Sequence, residues 1–93
     1  METWKLLIAL HDDKIKKGSH LWGTITHLIY YGNITIRTLS EAPFKSNAPN
    51  DVIRQVHKFL DRHNDLKFEL DYEWKQNPNT KSRYKEFFLA EVA

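Results

Sequence analysis

The most regular pattern of apolar and polar positions in the chain runs through residues 51–63. Apolar side chains recur there every three or four positions, which sets them along one side of a helix. They are Val52, Ile53, Val56, Phe59 and Leu60, with His63 at the end of the same side. Asn50 or Asp51 can cap the start of this helix, and Asn64 can end it. The pattern predicts an amphipathic helix with its apolar side in a core.

An alternating pattern follows directly, over residues 67–75. The apolar members are Phe68, Leu70, Tyr72 and Trp74, and the charged members are Lys67, Glu69, Asp71, Glu73 and Lys75. A period of two predicts a strand with one face on a core and the other in water. Residues 76–82 predict a turn, and residues 83–92 predict a return strand that would satisfy one edge of the first strand. A terminal helix is the alternative for residues 83–92.

Two segments in the first forty residues are consistent with either a strand or a helix. Residues 3–10 form a short apolar run, which favours a strand buried on both faces over a short helix. Residues 11–19 are polar, contain Gly18 and predict a loop. Residues 20–40 are consistent with a helix that Ser19 caps and Gly32 ends, or with a β-hairpin.

The β-hairpin is the favoured interpretation of residues 20–40. It would join strands over residues 21–31 and 34–39 through a Gly32-Asn33 turn, since Gly-Asn supplies the positive φ angles of tight turns. Many side chains before that turn are β-branched or aromatic and lose rotamer freedom in a helix. They are Thr24, Ile25, Thr26, Ile29, Tyr30 and Tyr31. Gly23 would also cost about 1 kcal/mol in a helix interior.

Together these elements predict an α+β fold in one domain, residues 1–93. The sheet would be small and antiparallel, with about five strands in the order β-β-β-α-β-β and one amphipathic helix packed on one face. Residues 40–50 contain Pro43 and Pro49 and predict a connection. We expect Phe44, within that connection, to pack against the core.

Composition narrows the class of protein without indicating a reaction. The 93 residues are 41% hydrophobic and 28% charged, which is ordinary for a globular chain. The lack of cysteine excludes disulfides and thiolate metal sites, and it fits a reducing compartment. The apolar run at residues 6–10 is too short for a signal-peptide core or for a membrane span of about 20 residues. We therefore expect an intracellular, cytoplasmic protein that does not enter a membrane.

Candidate catalytic chemistry is sparse. The sequence has no Gly-x-Ser-x-Gly elbow and no glycine-rich phosphate loop, and its five histidines lack zinc-ligand spacing. Two acidic groups remain as candidates: His11, Asp12 and Asp13 in the first loop, and Asp71, Glu73 and Lys75 on the charged face of the strand. The second group has the carboxylate-x-lysine spacing of a class of metal-dependent nucleases. Turns and solvent-exposed strand faces often carry such residues without any catalytic role. We therefore expect a non-enzymatic protein without a metal or cofactor, and a metal-dependent hydrolase is the second alternative.

Three basic clusters are candidate binding residues. They are Arg54, Lys58 and Arg62 on the outer side of the helix, Lys14, Lys16 and Lys17 in the first loop, and Lys81, Arg83 and Lys85 near the last turn. A spacing of four residues makes the first cluster a ridge that could follow a phosphate backbone or an acidic protein surface. The net charge of +2 does not by itself require a nucleic-acid partner. A nucleic-acid groove is expected only if the three clusters share a face.

Aromatic side chains, at 13% of the chain, exceed what so small a core needs. The candidates for exposed positions are Trp22, Tyr30, Tyr31, Tyr72 and Trp74. Exposed Trp and Tyr side chains anchor protein partners, and their rings also stack on bases.

We therefore predict a non-enzymatic binding module that docks on a macromolecular partner, and on a protein in preference to a nucleic acid. Nucleic-acid binding through the basic ridge is the alternative. An unpaired sheet edge would also allow a homodimer. The small size and the lack of a catalytic motif are typical of accessory proteins, modulators and inhibitors that viruses and mobile elements encode.

Overall fold

The computed structural model describes residues 2–42 and 44–92, so Pro43 of the predicted connection lies outside the described residues. The elements in chain order are α1 (Trp4–Asp12), α2 (His20–Tyr31), β1 (Asn33–Thr35), α3 (Ile36–Ser40), α4 (Pro49–Arg62), a 3₁₀ turn (Asn64–Leu66), β2 (Phe68–Gln76) and β3 (Arg83–Glu91). The fold is α+β, as predicted. Within the described residues, however, the antiparallel sheet has three strands rather than about five, and several helices replace the single predicted one.

The β2–β3 hairpin is the largest part of the sheet, and its two predicted strands are confirmed. The strand order is β1-β3-β2, and all neighbours are antiparallel. Leu70 pairs with Leu89 and Tyr72 with Phe87, while Ile34 of β1 pairs with Phe87 from the other side. Because paired residues point to the same face, one face collects the apolar side chains and forms a wall of the core. The buried members are Ile34, Phe68, Leu70, Phe87 and Leu89.

The amphipathic helix is confirmed as α4, although it begins earlier than the predicted start. Pro49 occupies its first turn, where a missing N–H costs nothing, and Ala48 rather than Asn50 or Asp51 is the N-cap residue. Asp51 therefore lies within the first turn, near the positive end of the helix dipole. All five apolar positions of the predicted stripe are buried, from Val52 to Leu60.

The predicted strand over residues 3–10 is wrong, because the segment forms α1. Leu6, Ala9 and Leu10 are buried and follow the three- and four-residue spacing of a helix. Trp4 and Ile8 lie on the outer side and are 53% and 51% exposed. The apolar run is therefore buried along one side of a helix only. A run of apolar residues without polar positions between them does not distinguish this arrangement from a strand buried on both faces.

The favoured hairpin over residues 20–40 is also wrong, because its first strand is the helix α2. The Ser19 hydroxyl accepts a hydrogen bond from the Trp22 N–H, and Gly32 ends the helix in the left-handed conformation at φ 87°. The threonines that favoured a strand are satisfied inside the helix. Thr24 donates its hydroxyl proton to the His20 carbonyl at 2.7 Å, and Thr26 donates to the Trp22 carbonyl at 2.9 Å.

The second strand of that predicted hairpin is shorter than expected. Only Asn33–Thr35 pairs with β3, and residues 36–40 form α3 instead of extending the strand. Thr35 marks the change of structure, because its hydroxyl accepts a hydrogen bond from the Thr38 N–H at 3.1 Å and caps the new helix.

Helices α2 and α4 cover the apolar face of the sheet, and α1 packs on α2. Helix α4 packs on β2, while α2 packs on β1 and β3 and also contacts α4. Phe44 is half-buried and packs against the core, as expected. Within residues 2–42 and 44–92, no helix combines the length and the apolar character that crossing a membrane requires.

Candidate binding surface on the projecting hairpin

The β2–β3 hairpin extends beyond the core. Along one face of β2, Phe68 and Leu70 are each 7% exposed, but Tyr72 and Trp74 on the same face are 44% and 52% exposed. Side chains at alternate positions share a face, so this change marks the point where the helices stop covering the sheet. The distal half of the hairpin therefore presents two large rings to solvent on the side that the helices occupy further down.

Two cations from β3 lie over these rings. Lys85 is directly opposite Trp74, and Arg83 is opposite Gln76, which places both cations on the face of the rings. The Lys85 amino group is 4.4 Å from the Tyr72 ring centroid, and the Arg83 guanidinium carbon is 4.8 Å from that of Trp74. The two rings meet edge to face at 6.1 Å. We call this set, Tyr72, Trp74, Arg83 and Lys85, the hairpin platform.

A groove of about 780 Å³ lies beside the hairpin platform. Its walls are Trp74, Arg83 and Lys85 on one side and the starts of α3 and α4 on the other, where Ile36, Arg37 and Asn50 contribute. Among the described residues that line it, Arg37, Arg83 and Lys85 are cationic and none is a carboxylate. The Arg37 guanidinium is bonded to Glu41 at 2.9 Å, outside the lining. The groove is therefore basic and partly apolar.

The opposite face of the same hairpin is acidic. It carries Glu69, Asp71, Glu73 and Glu86, together with Lys75. Glu73 and Glu86 are directly opposite each other, and the Lys75 amino group lies 3.2 Å from the Glu73 carboxylate. The hydrogen bond to Glu73, followed by the charges of Glu73 and Glu86, raises the pKa of Lys75 above its usual value. The carboxylate-x-lysine group thus lies on an exposed face, where Lys75 screens two carboxylates from each other.

The other acidic candidate group has a structural contact that the sequence did not indicate. The Asp13 carboxylate, at the end of α1, accepts hydrogen bonds from Arg62 at 3.1 Å and from His63 at 3.0 Å. The hydrogen bond from His63 is the main cause of a lowered Asp13 pKa, and the bond from Arg62 adds to it. His11 and Asp12 remain exposed. No group of three His, Cys, Asp or Glu residues in the described part of the chain is placed to hold a metal ion.

The basic ridge on α4 is exposed, but carboxylates neutralise much of it. Arg54 lies 3.2 Å from Asp51, and Arg62 lies 3.1 Å from Asp13, while Lys58 is exposed between them. The contact between Asp13 and Arg62 also fixes where the first loop lies. Lys14, Lys16 and Lys17 follow Asp13, so they lie at the end of α4 that carries Arg62.

The third basic cluster lies at the other end of α4. Asn50, in the first turn of that helix, lines the groove with Arg83 and Lys85. The 14 residues of α4 span about 21 Å. The first-loop cluster and the last-turn cluster therefore lie near opposite ends of α4.

The remaining aromatic candidates form a separate surface on α2. Tyr30 and Tyr31 are 75% and 74% exposed at the end of that helix, while Trp22 is half-buried against the core. Next to them the His27 ring packs 4.6 Å from Tyr31 and 5.6 Å from Phe44. Helix α3 separates this surface from the hairpin platform, because Thr38 faces His27's side and Arg37 faces the groove.

No protein-family model matches the chain, and neither a curated protein nor a solved structure does. What the hairpin platform can bind is therefore inferred from its rings, its charges and the groove beside it. The sequence indicated Tyr72 and Trp74 as aromatic candidates and Arg83 and Lys85 as part of a basic cluster, but it did not show that the two sets are in contact. That contact depends on the hairpin register, which pairs Trp74 with Lys85.

Proposed function

We propose that the protein is a non-catalytic binding module that docks an acidic segment of a protein partner on the hairpin platform. The observation that carries the proposal is the exposed Trp74 ring with the Arg83 guanidinium 4.8 Å from its centroid, at the wall of a basic groove. Exposed Trp and Arg side chains at the edge of a concave site are the residue types that dominate binding energy at protein interfaces.

The charges of the groove favour an acidic occupant. A guanidinium that stacks on an aromatic ring keeps its edge N–H donors free to bind a carboxylate with two parallel hydrogen bonds. Lys85 adds positive charge beside Arg83, whereas Arg37 on the other wall is paired with Glu41, and no described residue that lines the groove is a carboxylate. A segment with alternating acidic and apolar side chains would bond to the cations and cover the rings.

Two features favour a protein partner over a nucleic acid. The cations already lie over the faces of Tyr72 and Trp74, which are the faces that bases would need for stacking. The acidic opposite face of the hairpin would also repel a long polyanion that wraps around it. A short acidic peptide that stays on one face avoids this repulsion.

The proposal can be tested with labelled short peptides by fluorescence anisotropy. One peptide alternates Glu or Asp with apolar residues, one has the same apolar residues with Lys in place of the acids, and single- and double-stranded oligonucleotides form the second set. We expect saturable binding of the acidic peptide, which the double variant Arg83→Glu plus Lys85→Glu weakens by about tenfold or more.

The matched control is Arg54→Glu plus Lys58→Glu, which reverses the same amount of charge on the outer side of α4. This control should leave peptide affinity nearly unchanged, and the circular dichroism spectra of both double variants should match the wild type. Equal weakening by both double variants would show that only the overall charge matters. Tighter binding of an oligonucleotide than of the acidic peptide would favour nucleic acid instead.

A further inference from the structure

Backbone hydrogen-bonding groups line the outer edge of β2, and one of them, the Tyr72 N–H, donates to the Asp71 carboxylate at 2.7 Å. The Asn77 N–H donates to the Ser82 carbonyl at 2.8 Å, and the Val92 N–H donates to the Lys67 carbonyl at 2.9 Å. In an antiparallel ladder such pairs alternate with unbonded pairs, so odd-numbered residues of β2 turn their N–H and C=O groups toward β3. The even-numbered residues, from Phe68 to Gln76, turn theirs outward. No other strand among the described residues pairs with that edge.

The sequence along this edge is complementary to itself. If a second copy of β2 is placed antiparallel with Glu73 opposite the partner's Glu73, Tyr72 falls opposite the partner's Trp74. Asp71 then falls opposite the partner's Lys75, and both pairs occur twice because of the two-fold symmetry. This register uses the strand as it already lies. Tyr72 and Trp74 turn their backbone N–H and C=O groups outward, and they are the residues that form the hydrogen-bonded pair. Asp71 and Lys75 form the unbonded pair, in which side chains approach most closely.

We infer that two copies of this chain form a homodimer by pairing their β2 edges in this register, with Glu73 at the two-fold axis. The joined sheet would have six strands. In both copies the Tyr72 N–H would exchange its bond to Asp71 for one to the partner's Trp74 carbonyl, and the Asp71 carboxylate would turn to the partner's Lys75. Residues 70–76 of each copy form the new ladder. The aromatic pairs then lie on the face that carries the hairpin platform, and the ion pairs lie on the acidic face.

The centre of this register suits the shape of the molecule. Tyr72 and Trp74 belong to the half of β2 that the helices leave uncovered, so a second strand can lie beside it. Because the strands are antiparallel, the helices of the two copies lie toward opposite ends of the new ladder. The central pair of Glu73 side chains is repulsive, but each lies 3.2 Å from the amino group of its own Lys75.

The inference is tested by measuring the molar mass in solution by light scattering over a range of concentrations. We expect the wild-type protein to approach twice the 11.1 kDa mass of one chain. Asp71→Lys places like charges opposite the partner's Lys75, and Lys75→Glu places like charges opposite the partner's Asp71. Each variant alone should weaken the dimer by roughly tenfold to a hundredfold, since two ion pairs become repulsive.

Mixing the two variants gives the decisive result. In a heterodimer of Asp71→Lys with Lys75→Glu, both pairs between positions 71 and 75 are again attractive and the Glu73 pair is as in the wild type. An equimolar mixture should therefore recover dimers that each variant alone forms far more weakly. Recovery also shows that both variants are folded. Glu73→Gln removes the central repulsion and should tighten the wild-type dimer severalfold.

Glu69→Lys is the matched control, since Glu69 lies on the same face but outside the paired residues. It should leave dimer affinity unchanged. A mass of one chain for the wild type at all concentrations, or failure of the mixture to form dimers, would overturn the inference. Weakening by Glu69→Lys as large as that by Asp71→Lys would overturn the register. None of these measurements includes an acidic peptide, so they are independent of the proposed function.

Discussion

A Cβ atom at Gly23 would lie 3.0 Å from Cε1 of Phe44, so the Phe44 ring packs directly on the backbone of α2 where a side chain is missing. Gly23 lies within that helix and has an ordinary helical position rather than a turn. Gly23 contributes to packing because the absence of a side chain leaves space for the Phe44 ring. The packing of Phe44, more than twenty residues later in the chain, therefore offsets the unfavourable helix propensity of Gly23.

This contact predicts that the effect of Gly23→Ala on stability depends on whether the Phe44 ring is present. In a Phe44→Ala background, Gly23→Ala should raise the free energy of unfolding by about 1 kcal/mol, because alanine is the better helix former. In the wild-type background the same change should gain clearly less, since the ring must first move by a few tenths of an ångström. A double-mutant cycle by urea denaturation measures the difference. Equal effects in both backgrounds would show that the ring does not limit residue 23.

The Asp13 carboxylate should stabilise the protein at neutral pH by joining α1 to the end of α4. Asp13→Ala removes hydrogen bonds from Arg62 and His63 and should lower the free energy of unfolding by about 1 kcal/mol. Because the pKa of Asp13 is lowered in the folded state, its contribution is present above the ordinary value of 3.8. The contribution is then lost as the pH falls through the folded-state pKa.

Urea denaturation at pH 7 and near pH 3 checks this prediction. The gap between wild type and Asp13→Ala should narrow at the lower pH. Asp12→Ala, one position earlier and exposed, should cost much less at neutral pH and serves as the control. A gap for Asp13→Ala that stays constant with pH would contradict the assigned role.

His27 should make the protein less stable in mild acid. Burial beside Tyr31 and Phe44 lowers the pKa of His27 from its ordinary 6.5, with a partly opposing hydrogen bond to the Asn33 backbone. The unfolded chain therefore binds a proton at a higher pH than the folded one, so stability declines as the pH falls below about 6.5. His27→Phe keeps a ring in place and should flatten this decline in thermal melts. His57→Gln, an exposed substitution that leaves the ring contacts of His27 in place, serves as the control.

Helix capping predicts a pair of opposite effects. Ser19→Ala removes the acceptor for the Trp22 N–H and should lower the free energy of unfolding by about 1 kcal/mol. Helix α4 has Ala48 at the equivalent position and no side-chain cap. Ala48→Asp should therefore raise stability by up to about 1 kcal/mol. Thermal denaturation of the two single variants measures both changes, and a loss in Ala48→Asp would show that the backbone there cannot accept a cap.

Elements whose pattern is local could be predicted from the sequence. The stripe from Val52 to Leu60 and the alternation from Phe68 to Trp74 each need only the next few residues to be recognised. Helix α2 could not be predicted in the same way. Its β-branched and glycine residues favour a strand locally, while the contacts that decide for a helix are the Thr24 hydroxyl bond and the distant Phe44 ring.

The candidate site was predictable in its parts and not in its assembly. The surplus of aromatic residues indicated Trp74, and the clustering of basic residues indicated Arg83 and Lys85. Whether these side chains come into contact depends on the exposure of the Trp74 ring and on the register of the β2–β3 hairpin. A shift of one residue in the hairpin would place Lys85 on the acidic face, away from both rings. The partial neutralisation of the α4 ridge depends likewise on Asp13, which lies 49 residues before Arg62.

The position of β3 between β1 and β2 has a consequence for synthesis of the chain. The central strand of the sheet is made last of the three, so β1 and β2 have no partner until residues 83–91 leave the ribosome. The four helices precede β2 and can begin to associate earlier. During that interval the apolar face of β2 and both of its edges are uncovered, which is when a nascent chain is most exposed to unwanted strand pairing.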